Sequence, residues 1–211
     1  MFSHTQETDS RFKALAKALS LCSSKENISP VMPGAQFQAA VSVVLRSAEG
    51  LDLLLIKRAH FDRDPWSGHM ALPGGRRDPK DIDLKHTAIR ETMEETALEL
   101  GQDAQHLGQL KALKPNSVRL PKLTITPFVF GVGRHAQAAV ASPEIDQVFW
   151  VSIDELRGRD SNSYVEVPMP DGREQEFSCY MVEEEPVWGL TYRIISELLE
   201  LCPLETLQIG P

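Results

Sequence analysis

Residues 72–98 read LPGGRRDPKDIDLKHTAIRETMEETAL and carry the strongest structural signal in the chain. From Ile82 onward the segment contains neither glycine nor proline, which predicts one long helix over Ile82–Leu100. Gly101 follows that stretch and is expected to stop the helix, while Asp81 or Asp83 could cap its start. The preceding LPGGRRDPKD is predicted to be irregular because glycine and proline interrupt it.

Three acidic side chains share one face of this predicted helix. Glu91, Glu94 and Glu95 stand at i, i+3 and i+4, positions that lie side by side on a helix surface. Arg90 is placed to pair with Glu94 at i+4. An acidic helix face is usually a solvated surface, and like charges at this spacing cost only about a few tenths of a kcal/mol per pair. The acids alone therefore do not identify a site.

The glycine pair before the helix changes that interpretation. Gly74 and Gly75 allow the backbone to approach a ligand closely and expose its carbonyl groups to it. Carbonyl oxygens together with carboxylates are the ligands of hard cations such as Mg²⁺ or Mn²⁺. Mg²⁺ normally shares its coordination sphere with phosphate oxygens and water. The residues therefore predict a divalent-metal site that binds a phosphate ester or anhydride.

Together the glycines and the acidic helix resemble the Nudix box, G-x5-E-x7-R-E-U-x-E-E-x-G-U, in which U is a large aliphatic residue. The positions that match are Gly75, Arg90, Glu91, Glu94, Glu95 and Leu98.

The stretch also departs from that pattern. The spacing from the first glycine to Arg90 is one residue longer. The upstream acid is Asp81 rather than glutamate, and counted back from Arg90 the strict position is Ile82. Thr92 stands where an aliphatic residue is expected, and Ala97 stands where a glycine is expected, which costs little unless a positive φ is required there. None of these changes removes a residue expected to hold metal.

A second resemblance is narrower. The segment 53–75, LLLIKRAHFDRDPWSGHMALPGG, resembles the motif that precedes the box in coenzyme A pyrophosphatases of the Nudix superfamily. Ile56 and Leu72 replace a threonine and a phenylalanine of that motif, and the gap from Arg63 to Gly68 is one residue longer than in the motif. The longer box spacing and the C-terminal VWGLTYRI, residues 187–194, also resemble that branch. The resemblance covers about residues 37–201.

The resemblance implies roles for the box residues. Glu91, Glu94 and Glu95 would hold one to three Mg²⁺ ions, with the backbone carbonyl of Gly74 as a further ligand. Arg90 would orient the glutamates rather than touch the substrate. One box glutamate, or an acid from a later loop, would activate water.

Substrate contacts are expected from residues around the box. Arg58 and Arg63 are the candidates for binding the anionic substrate through bidentate contacts to phosphate, with solvated loop charges as the alternative. The backbone approaches the substrate closely at Gly75. Arg76 and Arg77 are expected at the surface. Further candidates with a competing interpretation are Glu144 (an acid from a late loop, or a solvated charge), Trp66 (stacking on adenine or lining a pocket) and Trp188 (the same, or packing of the last helix).

The rest of the chain predicts a mixed α/β fold. The expected elements are a helix over 10–22, strands over 37–46, 51–58, 107–113, 123–132 and 145–151, a short helix from 152, a hairpin of 164–168 and 174–180, and a helix over 189–201. The apolar face of the first helix is expected to contain Phe12, Leu15, Leu19 and Cys22. Pro127 inside a strand suggests an edge or a bulge. The resemblance implies a Nudix α/β/α sandwich with a mixed sheet over 37–201. An N-terminal helix and connector would occupy 1–36, and a tail 202–211.

Composition narrows the function further. The chain has 211 residues and a net charge of −8, which argues against nucleic-acid or anionic-membrane binding. Three separated cysteines suggest a reducing compartment and no zinc site. There is no signal-peptide pattern and no apolar run long enough to span a bilayer, so a cytoplasmic location is predicted. The resemblance also allows a homodimer, for which the sequence identifies no interface.

The predicted function is Mg²⁺-dependent hydrolysis of a diphosphate linkage in a small nucleotide. The resemblance favours coenzyme A or a derivative, cleaved to 4′-phosphopantetheine and adenosine 3′,5′-bisphosphate. ADP-ribose, another nucleoside diphosphate derivative or a nucleoside triphosphate stays open as the substrate. A non-catalytic ligand-sensing Nudix domain is disfavoured because the box acids are present, and an isomerase because no cysteine lies near the expected site.

Overall fold

The computed structural model describes residues 9–23, 37–62, 66–101, 104–115, 123–158, 163–169 and 172–202. The helices are α1 (Ser10–Ser23), α2 (Leu84–Thr96), α3 (Ile153–Gly158) and α4 (Gly189–Leu201). The strands are β1 (Phe37–Ser47), β2 (Leu51–Arg58), β3 (Met70–Ala71), β4 (Gly74–Arg76), β5 (Gln105–Gln109), β6 (Leu123–Val132), β7 (Ile145–Ser152), β8 (Ser163–Pro168), β9 (Glu174–Val182) and β10 (Glu185–Trp188). The predicted connector over 25–36, the tail from 203 and Arg63 lie outside these ranges.

A mixed sheet forms the centre of the fold. Strands β1 and β6 run parallel from Phe37 opposite Leu123 to Arg46 opposite Val132, and the other pairs in this sheet are antiparallel. The strand order is β3-β2-β1-β6-β5, with β7 on the far side of β2 and β4 paired to β1.

The sheet opens between β1 and β2, and this opening positions the glycine pair. The two strands pair only near their turn, from Leu45 opposite Leu53 to Ser47 opposite Leu51. Farther from the turn, β3 pairs with β2 and β4 pairs with β1. The segment that contains Gly74 is therefore held in the sheet by ladder hydrogen bonds. The prediction that LPGGRRDPKD is irregular throughout is wrong, because part of it is strand β4.

Helices cover both faces of the sheet, as the α/β/α prediction requires. Helix α2 packs on one face through Ala88, which shares an apolar cluster with Leu54 and Phe130. Helices α1, α3 and α4 pack on the other face, in one cluster with alternate residues of β1 and β2. Alternate strand residues point to opposite faces, so β1 and β2 contribute side chains to both clusters.

A second, three-stranded sheet of order β10-β9-β8 precedes α4. The predicted hairpin of 164–168 and 174–180 is confirmed as β8 and β9, and β10 extends it by one strand. Its connecting residues 170–171 are outside the described ranges. Val187 of β10 and Ile195 of α4 are fully buried in the same cluster, which fixes this sheet to the main core.

Three further sequence predictions need correction. Strand β6 is central in the sheet rather than an edge strand. The carbonyl of Pro127 accepts the Leu110 N–H, so the backbone of Pro127 is directed towards Leu110, just beyond the end of β5, and not towards β1. The lack of an N–H at Pro127 therefore does not break the ladder between β1 and β6. The bulge lies in β5, between His106 and Gly108. The strand predicted over 107–113 begins and ends earlier, at Gln105–Gln109. Cys22 is exposed rather than part of the apolar face of α1, and all three cysteines are free.

No helix in the described ranges combines the length and apolar character that crossing a membrane requires.

Candidate active site

Helix α2 carries the acidic residues, and both of its ends are defined by backbone chemistry. Asp83 is the N-cap and accepts a hydrogen bond from the His86 N–H at 2.7 Å. Of the two predicted caps, Asp81 and Asp83, it is therefore Asp83 that caps the helix. The helix ends at Thr96 because Ala97 adopts the left-handed conformation with φ 52° and donates its N–H to the Met93 carbonyl. The predicted end at Leu100 is therefore wrong by a turn, and Gly101 is not the stop.

Glu95 is the most buried of the three glutamates. Only 5% of its surface is exposed, and its Oε2 accepts the backbone N–H of Gly74 at 2.9 Å. Burial raises the pKa of Glu95 to about 8, which the Gly74 hydrogen bond opposes and the nearby charge of Glu91 reinforces. The helix and the glycine segment are thus joined directly at a buried carboxylate.

Gly74 and Gly75 are required here by close packing. A Cβ on Gly74 would lie 2.3 Å from the Ala40 carbonyl oxygen, and the φ of Gly74 is 154°. A Cβ on Gly75 would lie 2.5 Å from the Glu91 carboxylate. Any side chain at these positions would displace either strand β1 or the acidic residue, so the two glycines are what allow β4 to approach α2.

Glu91 lies beside Gly75 and is only partly exposed. Burial raises the pKa of the Glu91 carboxyl, the Arg90 guanidinium opposes that shift, and Glu94 reinforces it. Glu94 is the outermost of the three, with 57% of its side chain exposed. The exposure of the three carboxylates therefore increases along the row from Glu95 through Glu91 to Glu94.

Arg90 links the acidic residues to one another. Its guanidinium contacts Glu91 at 2.9 Å and Glu94 at 3.0 Å, which confirms the predicted i,i+4 pair. Its Nε and Nη2 also bind the two carboxylate oxygens of Asp81, at 3.0 and 3.1 Å. Arg90 thus holds Glu91 and Glu94 in position, and Asp81 in turn fixes the guanidinium of Arg90.

Asp81 is buried behind Arg90, a position that the sequence did not predict. Its side chain is 1% exposed and accepts hydrogen bonds from the Asp78 N–H, the Thr87 hydroxyl and Arg90, and it contacts His86. The Arg90 hydrogen bonds hold the pKa of the Asp81 carboxyl well below its usual range, against the effect of burial. The signal was present in the box resemblance, where an acid precedes the arginine.

Thr92 occupies the box position where an aliphatic residue is expected, and the structure supplies its partner. Its hydroxyl lies 2.7 Å from the Ser42 hydroxyl and 2.8 Å from the Ala88 carbonyl oxygen. Ser42 in turn donates to the same carbonyl at 3.0 Å. All three groups are fully buried, so a polar pair between β1 and α2 replaces the expected apolar contact.

Two charged residues outside the box lie near Glu95. Arg58, at the end of β2, lowers the pKa of Glu95, and Glu144 raises it. The loop that carries Glu144 is fastened to the end of α2, since the Ala141 N–H donates to the Glu95 carbonyl at 3.1 Å. The Glu144 carbonyl accepts the Ala59 N–H at 2.7 Å. Both charged groups therefore lie close enough to Glu95 to affect its ionisation.

The other candidates are more exposed than Glu95. Arg76 and Arg77 are exposed, as predicted, with Arg76 over the ring of Phe37 and Arg77 bound to the carbonyl of Asp81. Trp66 is 40% exposed. Trp188 is half-buried and its ring contacts the rings of His69 and Phe177. A separate cavity of about 550 Å³ at the β1–β2 turn contains none of the predicted site residues; it is lined by Ala48, Glu49, Gly50, Leu51, Asp52, Ser152 and Asp154.

The donor set fits a hard divalent cation. Ser42 N–H bonds to the Pro73 carbonyl at 2.8 Å, so Gly74, opposite Val41, belongs to the alternate type of pair, whose N–H and C=O groups point away from β1. The Gly74 N–H already reaches Glu95, which places its carbonyl on the same edge as the carboxylates. Within the described ranges no three acidic, His or Cys side chains already converge as a metal site; Glu91 and Glu94 are in ion pairs with Arg90. To be ionised, a nearly buried carboxyl group such as Glu95 needs compensating positive charge.

Comparison with known proteins identifies the class. The family model of the NUDIX domain matches residues 36–168, which include the glycine pair, α2 and the Glu144 loop. This chain belongs to the Nudix family and is a Nudix hydrolase. The fold agrees with a MutT/nudix family protein from Enterococcus faecalis, at a TM-score of 0.50 and 18% identity over 95% of this chain and 74% of that one.

Particular relatives narrow the resemblance. The human mitochondrial coenzyme A diphosphatase NUDT8 is 32% identical over 174 residues, which cover 81% of this chain and 71% of the relative. The Nudix hydrolase NudL of Photorhabdus laumondii, described as uncharacterized, is 33% identical over 70% of this chain and 75% of its own length. An uncharacterized protein of Schizosaccharomyces pombe is 36% identical, but the match spans only 32% of its length and 49% of this chain. The predicted resemblance to the coenzyme A pyrophosphatase branch is confirmed.

Proposed function

We propose that this protein hydrolyses a diphosphate linkage in a small nucleotide, with Mg²⁺ or Mn²⁺ as cofactor. The observation that carries the proposal is the row of Glu91, Glu94 and Glu95 on α2, against which strand β4 brings Gly74 and its carbonyl. Coenzyme A or a derivative is the proposed substrate, on the strength of the relative that is named a coenzyme A diphosphatase. The products would be 4′-phosphopantetheine and adenosine 3′,5′-bisphosphate.

The acidic residues have distinct tasks in this proposal. Glu95 and Glu91 hold the cation together with the Gly74 carbonyl, and Glu94 completes the set from the solvent side. When bound, the cation supplies positive charge to the diphosphate oxygens and lowers the pKa of water in the site. Arg90 keeps the outer carboxylates oriented, since Asp81 fixes its guanidinium from the opposite side.

The remaining residues act on the substrate and the attacking water. Arg58 binds a substrate phosphate through its guanidinium, which suits planar, bidentate contact with phosphate oxygens; Arg63, outside the described ranges, stays a second candidate. A box glutamate or Glu144 accepts the proton of the attacking water at a carboxylate oxygen. Water adds to one phosphorus, and the other phosphate leaves with the electron pair of the broken P–O bond.

A product assay by mass spectrometry tests this proposal. Purified protein with Mg²⁺ would be offered coenzyme A, acetyl-coenzyme A, ADP-ribose, NADH and nucleoside triphosphates. Adenosine 3′,5′-bisphosphate is the expected product from coenzyme A, and the Glu94→Gln variant should lose nearly all of it with little change in thermal stability. Glu99→Gln is the matched control, because Glu99 is an exposed acid just beyond α2.

The outcomes separate the chemistry from the substrate. Turnover of ADP-ribose or a triphosphate alone would keep the acidic site and discard coenzyme A as substrate. Full activity of the Glu94→Gln variant would refute the role of that residue, and no turnover of any compound would refute the proposed hydrolysis. The cytoplasmic location and the homodimer stay predictions, measurable by fractionation and by light scattering.

A further inference from the structure

Three half-buried aromatic side chains are linked by ring contacts and are here called the aromatic wall: His69, Phe177 and Trp188. The ring centroids of His69 and Trp188 are 5.0 Å apart, with 58° between the ring planes. The rings of Phe177 and Trp188 are 5.2 Å apart at 40°. These separations are typical of interacting aromatic pairs. Trp188 therefore lies at the centre of the wall, in contact with both neighbours.

The wall begins directly next to the arginine proposed to bind phosphate. The Arg58 N–H donates to the His69 carbonyl at 3.0 Å, which continues the antiparallel pairing of β2 with β3. Residues that lie opposite each other in such a pair carry their side chains on the same face of the sheet, with Cβ atoms about 5 Å apart. His69 also immediately precedes β3, the strand that leads into Gly74. The phosphate-binding Arg58, the cation site and the aromatic wall would therefore all adjoin the short segment from His69 to Gly74.

Strand β10 holds the wall in place from the other side. Glu185 forms an ion pair with Lys57 of β2, at 2.6 Å. Val187 is fully buried in the main core, and Trp188 lies opposite Cys179 in the ladder with β9. Val187 and Trp188 point to opposite faces of β10. Val187 packs into the core, while the half-buried Trp188 contacts His69 and Phe177.

The arrangement combines an anion-binding group with planar aromatic faces. We infer that the aromatic wall, through Trp188, binds the base of the nucleotide substrate while Arg58 binds its phosphate. Opposed strand residues such as Arg58 and His69 have Cβ atoms about 5 Å apart, and the rings of His69 and Trp188 are 5.0 Å apart. This spacing suits a nucleoside with its phosphate at one end and its base at the other. The pantetheine arm, which has no planar ring, would extend away from the wall.

This inference rests on the proposed function, because it assigns the base-binding side of the same site. It also adds a specificity that the acidic row does not provide. Base stacking tolerates different bases, since every base presents an aromatic face. The wall would therefore select nucleotides over other diphosphates without selecting strongly among bases.

Binding of the two expected products, measured by calorimetry without divalent cation, tests the inference. Trp188→Leu should weaken the Kd of adenosine 3′,5′-bisphosphate by about tenfold, as expected for loss of one stacked base. It should leave the Kd of 4′-phosphopantetheine unchanged. Trp188→Phe keeps an aromatic face and should retain most of the affinity. Trp150→Phe is the matched control, because Trp150 is also half-buried but packs against Arg46, 4.3 Å from its ring centroid.

Tryptophan fluorescence gives a second readout. Adenosine 3′,5′-bisphosphate should quench emission saturably in the wild type and in Trp150→Phe, and the quenching should be largely lost in Trp188→Phe. Equal binding of adenosine 3′,5′-bisphosphate by Trp188→Leu and the wild type would overturn the inference. So would no binding by the wild type, or an equal loss of both products accompanied by a lower Tm, which would indicate a packing role.

The test also distinguishes this inference from the proposed function. If Trp188→Leu hydrolyses coenzyme A with an unchanged KM, the wall has no role and the proposed function stands. If the protein binds adenosine 3′,5′-bisphosphate through Trp188 but hydrolyses no diphosphate, the inference stands and the proposed function fails.

Discussion

Replacement of Asp81 by asparagine should damage both stability and activity, although Asp81 does not face the substrate. The substitution removes the negative charge behind Arg90 and keeps the side-chain shape. Arg90 would lose its bidentate anchor, at 3.0 and 3.1 Å, while it keeps Glu91 and Glu94. Because the orientation of the outer acids depends on Arg90, we expect kcat to fall about 10- to 100-fold, as is usual when the partner that orients a metal ligand is lost.

The size of the stability loss follows from the burial of the pair. Removal of one partner from a fully buried ion pair costs about 3–5 kcal/mol. The side chain of Asp81 is 1% exposed, but that of Arg90 is 25% exposed and it retains two other acids. The expected loss is therefore smaller, about 2 kcal/mol, which corresponds to a Tm decrease of about 4–8 °C for a chain of this size.

Urea denaturation and steady-state kinetics measure the two effects. Asp83→Asn is the matched control, since asparagine caps a helix as well as aspartate and Asp83 is exposed. The difference between wild type and Asp81→Asn should also depend on pH. The folded-state pKa of Asp81 is lowered, so its contribution is complete above the unfolded pKa of about 3.9. It declines as the pH falls below that value. Equal behaviour of Asp81→Asn and Asp83→Asn at pH 7 would refute this reasoning.

Three further predictions concern the same helix. Ala97→Gly should raise Tm by about 1–4 °C, because the strain of a left-handed alanine exceeds the added chain entropy of glycine; a lower Tm would contradict the observed φ of 52°. Thr92→Val should cost about 1–2 kcal/mol in chemical denaturation, whereas adding Ser42→Ala should cost less than the sum of the single changes, since the two hydroxyls bond to each other; additivity would argue against that bond. With a chelator present, Glu95→Gln should gain stability relative to wild type as the pH rises from about 4.3 towards 8, because burial raises the folded pKa of Glu95 to about 8 and ionisation then opposes folding. In calorimetric scans, Mg²⁺ should raise the Tm of the wild type but not that of Glu95→Gln, and an equal response of both proteins would remove Glu95 from the metal set.

The main elements could be predicted because their signals are local. Valine-rich and apolar runs gave β1 and β2, and the spacing of Glu91, Glu94 and Glu95 placed them on one helix face without tertiary information. The apolar face of α4 was likewise readable from its own sequence. These predictions depend on periodicity within one element, and tertiary packing does not change periodicity.

The features that sequence could not give depend on distant partners. Strand β4 forms from glycines of low strand propensity because β1 and β2 separate and leave backbone groups of β1 to be paired. Helix α2 ends at Thr96, where Leu98 turns into the core, although no glycine or proline stops it. Thr92 looked like a departure from the family pattern until Ser42, distant in sequence, was seen as its partner.

The turn before α2 shows that a residue's place in an alignment and its place in space can differ. Ile82 is 82% exposed, while the carboxylate that binds Arg90 comes from its neighbour Asp81. A column-by-column comparison with the box pattern would put Ile82 at the position of the acid and score this box as defective. The extra residue simply bulges into solvent, and the charge reaches the same arginine. A box with this longer spacing is therefore better judged by the residue one position upstream of the expected column.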